Sequence, residues 1–177
     1  MTTPIRPYSK RITHIEVSAI KQMALKAMAY TDVISFGWGV PSFASHNAIR
    51  EAVIEAFKKD PHIDRYAPVP GLPALRKKIA EQWKAEHGIS ISERQVLVTA
   101  GAMEGMMCLM QALFDPGDEV AVMDPGFSSH REQIGLAGLL PVSVPLHEAS
   151  GWGLREEALR RAIRPRTKGI VLINPNN

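Results

Sequence analysis

Several absences narrow the chemistry of this sequence before any motif is read. A single cysteine, Cys108, among 177 residues excludes an internal disulfide. Its neighbours Met106, Met107, Leu109 and Met110 predict an apolar helix and a buried, inert thiol. No apolar run is long enough for a bilayer span, and the polar start from Met1 to Arg11 lacks the apolar core of a signal peptide. A soluble, cytoplasmic protein with no membrane contact is the expectation. Net charge is only +3 and acidic residues are interspersed almost throughout. The densest basic run, Arg160, Arg161, Arg164, Arg166 and Lys168, contains no aromatic residue to stack a base, which predicts a solvated helix face and no nucleic-acid partner. The six histidines never fall at metal-ligand spacing, so they read as surface or capping residues and no metal is expected.

Two familiar motifs are missing as well. A dinucleotide fingerprint needs G-x-G-x-x-G between strand and helix, whereas the central turn carries only Gly101 and Gly105, and Gly37-Trp38-Gly39 runs into Pro41. A nucleophile elbow needs G-x-S-x-G, and Gly126-Phe127-Ser128-Ser129-His130 puts histidine where the second glycine is required.

What is present is a 45% hydrophobic chain, enough for a proper core, organised around the stretch from Gln95 to Pro125. It reads as a strand over Val96–Thr99, a tight turn at Ala100-Gly101-Ala102, a helix from Met103 to Phe114, a Pro116-Gly117 stop and a strand over Val120–Met123. Such a βαβ unit leaves a helix N-terminus, with unpaired amides and its positive dipole end, beyond the carboxyl end of the first strand. An anion such as phosphate can sit there, and Gly101 lets the backbone turn sharply and approach it closely.

Before this unit come an extended arm over residues 1–12 and a helix over 14–30, with Thr13 and Glu16 as a capping box. Val33–Phe36 reads as a short strand and His46–Lys59 as a helix. The proline-rich loop Asp60–Gly71 exposes Tyr66, and Pro73 opens a helix that Gly88 ends. After the unit, a helix over 127–138, a strand over Leu140–Leu146, a helix over Leu154–Ile163 and a strand over Gly169–Ile173 complete the pattern. Helices alternating with unalternated apolar runs predict an α/β fold, a mostly parallel sheet with helices on both faces.

Five segments together carry a resemblance: Ser35-Phe36-Gly37-Trp38-Gly39-Val40-Pro41, Tyr66-Ala67-Pro68 with Gly71 and Leu75-Arg76, Val98-Thr99-Ala100-Gly101-Ala102, Pro116-Gly117-Asp118-Glu119-Val120, and Thr167-Lys168 leading to Asn174-Pro175-Asn176-Asn177. In this order and at these intervals the chain resembles the class I and II aminotransferases, pyridoxal-phosphate enzymes of fold type I. The likeness implies an N-terminal arm and first part of a small domain over residues 1–46, then the first half of the large cofactor-binding domain over 47–177. It implies amino-group transfer between an amino acid and a 2-oxo acid in a homodimer. A carbon–sulfur lyase of the same fold and a non-catalytic, metabolite-binding regulatory module remain the alternatives.

The resemblance also implies roles for residues. Amides of Gly101, Ala102 and Met103 would hold the phosphate of pyridoxal 5′-phosphate, Phe127 would stack on its ring, and Asn177 would donate to the ring hydroxyl oxygen. Tyr66 would reach the phosphate of the neighbouring subunit, and the backbone of Gly39 would face the substrate carboxylate. The family's lysine that carries the cofactor as an imine comes after this stretch, so no catalytic residue is assigned here and the chain by itself is expected to be inactive.

Overall fold

A computed structural model of the protein describes residues 8–12, 15, 18–37 and 39–176. In chain order the helices are α1 (Ala19–Ala27), α2 (Asn47–Lys59), α3 (Pro73–His87), α4 (Gly101–Leu113), α5 (Ser128–Leu136) and α6 (Glu156–Ala162). The strands are β1 (Glu119–Asp124), β2 (Leu140–Pro145) and β3 (Thr167–Val171). Two units form, one from Met1–Gln22 with Ala102–Asn177 and the other from Met23–Gly101.

The first unit holds a three-stranded sheet in the order β2-β1-β3, with both pairings parallel. β1 is central because it is apolar on both faces from Val120 to Met123, all of them buried, with the buried Glu119 at its start. Val120 and Val122 join Met110 of α4, Ile134 of α5, Leu139 and Val171 in one cluster. Ala121 turns the other way, towards Val144, Ala158 and Ala162. The two alanines of α6 lie four residues apart on one helix face, and their small size lets that helix come close to the sheet. The predicted class is therefore observed, an α/β fold with a parallel sheet covered on both faces. The turn before β1 is set by Gly117, at φ +90, whose amide donates to the Gly138 carbonyl at 2.9 Å. The basic run around α6 is exposed, and Arg160 pairs with Glu156 one turn away at 2.6 Å.

In the second unit, His46 caps α2 by accepting from the Ala48 amide at 3.2 Å. Pro73 opens α3, and Gly88, left-handed at φ +69, closes it. Gly71 is buried at φ +100, and a Cβ built on it would stand 2.6 Å from Val98 Cγ2. Arg76 donates to the carbonyls of Val96 at 2.9 Å and Glu93 at 2.7 Å, which ties α3 to the segment leading into the central turn.

Four expectations are corrected. Val96–Thr99 runs outside any described strand: the Val98 amide donates to the Pro70 carbonyl at 3.0 Å, and Arg76 takes the Val96 carbonyl. An apolar extended stretch becomes a strand only beside a second one, and here a loop and a side chain satisfy its polar groups instead. Val33–Phe36 is likewise irregular and exposed. The predicted helix over 14–30 shortens to α1, with Thr13, Glu16 and Val17 outside the described residues. Cys108 is exposed rather than buried. The inward stripe of α4 runs through Met106, Met110 and Phe114, and Cys108 lies roughly 200° round the helix from Met110 at about 100° per residue.

Candidate active site

In open parallel sheets ligands bind beyond the carboxyl ends of the strands, which makes the carboxyl end of β1 the candidate site. After Asp124 the chain passes Pro125 and Gly126 and enters α5, with Phe127 at its N-cap. Gly126 is required sterically, since a Cβ there would meet the Met123 carbonyl oxygen at 2.6 Å. A cleft of about 230 Å³ runs along this corner from Val122 to Phe127, with Ser128, Arg131 and Glu132 on its helical wall. Asp124 Oδ2 accepts from Ser143 Oγ at 2.9 Å and from Arg131 Nη2 at 3.4 Å, and Arg131 also donates to Ser143 Oγ. This trio fastens α5 to the ends of β1 and β2. Asn176 Nδ2 donates to the Pro125 carbonyl at 3.1 Å, so the segment after β3 folds onto the same corner.

The predicted phosphate turn opens α4. Gly101 is left-handed at φ +78, and nothing lies within 4 Å of where its Cβ would be. Thr99 Oγ1 donates to the Gly101 carbonyl at 2.9 Å, and the Gly101 amide donates to the Thr99 carbonyl at 2.7 Å. Ala102 and Met103 follow in the first helical turn, where amides have no intrahelical acceptor. Glu104 adds an exposed carboxylate to the turn, which suits the positive helix end and competes with a bound anion.

Met103 and Phe127 belong to the same unit and are joined through α5. Gln133 is 4% exposed, and its Nε2 donates to the Met103 carbonyl at 2.5 Å. Its Oε1 lies 3.4 Å from His130 Nδ1, and the His130 ring meets Phe127 edge-on at 5.2 Å and 76°. A second cleft, about 520 Å³, brings Met103, Ser128 and Gln133 together with Ser18 and Lys21. Gly39 and Tyr66 belong to the other unit; Tyr66 is fully exposed, and open space surrounds the position of a Gly39 Cβ. Asn177 and Trp38 lie outside the described residues. Gln133 and His130 are site neighbours that none of the five segments contained, and Asn176 stood in one of them without a role of its own. The sequence of α5, Ser128–Leu136, is mostly polar, so nothing along it set Gln133 apart from its neighbours.

Residues 31–177 match the family described as aminotransferase class I and II. The chain belongs to that family. An aspartate/prephenate aminotransferase of Thermus thermophilus is 34% identical over 98% of this chain and 46% of its own length. A probable aspartate aminotransferase of Streptomyces griseus is 37% identical over 97% of this chain and 82% of its own. Among solved structures, the Thermus thermophilus aspartate aminotransferase with maleate superposes with a TM-score of 0.91 at 34% identity, over 98% of this chain and 46% of that one. This aminotransferase-family chain thus spans just under half the length of the first of these relatives. No helix among the described residues is long and apolar enough to cross a membrane.

Proposed function

We propose that the chain forms the first half of a pyridoxal-phosphate-dependent aminotransferase that moves an amino group between an amino acid and a 2-oxo acid. The observation that carries this reading is the left-handed Gly101 at the head of α4, with open space where a side chain would stand. The residues present fit the cofactor. Ala102 and Met103 offer first-turn amides to its phosphate, with the helix dipole behind them. Gly101 presents that turn, its own amide serving the Thr99 carbonyl here. Phe127 supplies an aromatic face at the adjacent corner, and Asn177 a side-chain amide donor. When bound, the cofactor supplies an electron sink for the pair released as the substrate α-proton leaves.

The protein's part is to bind and orient. Backbone amides at a helix N-terminus recognise phosphate without a charged side chain, so the seat depends on backbone shape. An aromatic face fixes the plane of a ring laid on it while leaving its edge open to reaction. Gly39 would present backbone to the substrate carboxylate, and Tyr66 would cross to the phosphate of a second subunit. All nine lysines of the chain are exposed, which supports placing the cofactor-linking lysine in the part of the relatives that this chain does not span.

The test is Gly101→Val in the full-length protein, followed by cofactor titration and by amino-group transfer to a 2-oxo acid. Valine both disfavours the left-handed turn and fills the approach, so affinity for pyridoxal phosphate should fall at least about tenfold. Undiminished binding would overturn the seat; elimination of the amino-acid side chain without amino transfer would overturn the reaction.

A further inference from the structure

We propose that Gln133, acting with His130, is a positioning residue that sets the spacing between the phosphate seat and the aromatic face of Phe127; this rests on the cofactor reading above. Gln133 is one of two buried polar residues among those described, the other being Glu119, and it spends its amide on a contact between helices. Its Nε2 donates to the carbonyl of Met103, thirty residues away in the first turn of α4. A carbonyl can only accept, so the NH₂ end of the amide is fixed on Met103 and Oε1 is the end that faces His130. An oxygen at that place needs a donor, which assigns the proton of the neutral imidazole to Nδ1 and leaves Nε2 as the lone-pair nitrogen. The same ring stands across Phe127 at 5.2 Å and 76°, the T-shaped arrangement in which the positive edge of one ring meets the negative face of the other.

The result is one continuous line of contacts: Met103 carbonyl, Gln133 amide, His130 ring, Phe127 ring. Its ends are the two elements that would grip opposite parts of one cofactor, the phosphate and the pyridine. A rigid bound group rewards a fixed separation between its two grips, because any slack is conformational freedom lost on binding. The line lies within α5 and the first turn of α4, so it can hold that separation without touching the cofactor.

Gln133→Met keeps side-chain length and apolar packing while removing the donor. In the full-length protein it should raise the dissociation constant for pyridoxal phosphate about tenfold and reduce the induced circular dichroism of the bound cofactor. Affinity for inorganic phosphate, which engages one grip only, should change less than threefold. His130→Phe should lower the induced signal, and His130→Asn, which restores a donor near the place of Nδ1, should recover part of it. If Gln133→Met binds and orients the cofactor as the parent does while Gly101→Val abolishes binding, the positioning role is wrong and the seat stands. If Gly101→Val binds normally, the seat itself is wrong. Should Gln133→Met not fold, nitrogen NMR of the parent decides: a proton on Nδ1 of neutral His130 supports the assignment, and a proton on Nε2 overturns it.

Discussion

Single residues carry the sharpest expectations, because their surroundings leave little room. Gly71 combines φ +100 with a would-be Cβ 2.6 Å from Val98 Cγ2, a β-branched side chain that cannot swing far. Gly71→Ala should therefore cost at least about 2 kcal/mol of stability, read as a lower denaturant midpoint. At Gly126 the would-be clash is with a backbone carbonyl 2.6 Å away and φ is ordinary, so Gly126→Ala isolates the steric effect. It should displace the N-cap of α5, with a loss of cofactor affinity larger than its loss of stability. Equal loss in both, or in neither, would show that this corner is not a positioning point. Both glycines stood in the sequence, Gly71 inside a motif, but only the folded backbone revealed what each one avoids.

Elements are where sequence and structure agree best. α2, α3 and α5 begin and end within a residue or two of their predicted bounds, because caps and breakers such as His46, Pro73 and Gly88 are local signals. His46→Ala should destabilise α2 by on the order of 1 kcal/mol, the ordinary value of a side-chain cap, and hydrogen exchange at the start of α2 would register it. Ile134 is fully buried between α5 and β1, and Ile134→Ala should cost about 3 kcal/mol, visible as a fall in the thermal midpoint. By contrast, breaking the exposed pair Lys59–Glu55 should leave that midpoint where it is. The elements misread, Val96–Thr99 and Val33–Phe36, are those whose existence depends on a neighbour. Helical hydrogen bonds close within the segment, whereas a strand has to find its partner elsewhere.

On the scale of the whole molecule, the proposed dimer gives Tyr66 its purpose. Tyr66→Phe should weaken cofactor retention in the full-length protein without changing its sedimentation coefficient, and a monomer that keeps the cofactor fully would refute the assignment. The chain from Met1 to Asn177 alone should give no turnover and no covalent attachment of cofactor to lysine, judged by reduction and peptide mass. Attachment at Lys21, which shares the cleft beside Met103, would be the most damaging result. By itself the sequence determined the fold class, most helix bounds, the family and the turn at Gly101, because periodicity, caps and breakers and ordered motifs are written along the chain. The tertiary structure alone decided that Cys108 is exposed, that Val96–Thr99 is not laddered and that Gln133 and His130 link Met103 to Phe127. Each of these depends on which distant residue comes to lie alongside, and periodicity along one segment carries no record of that.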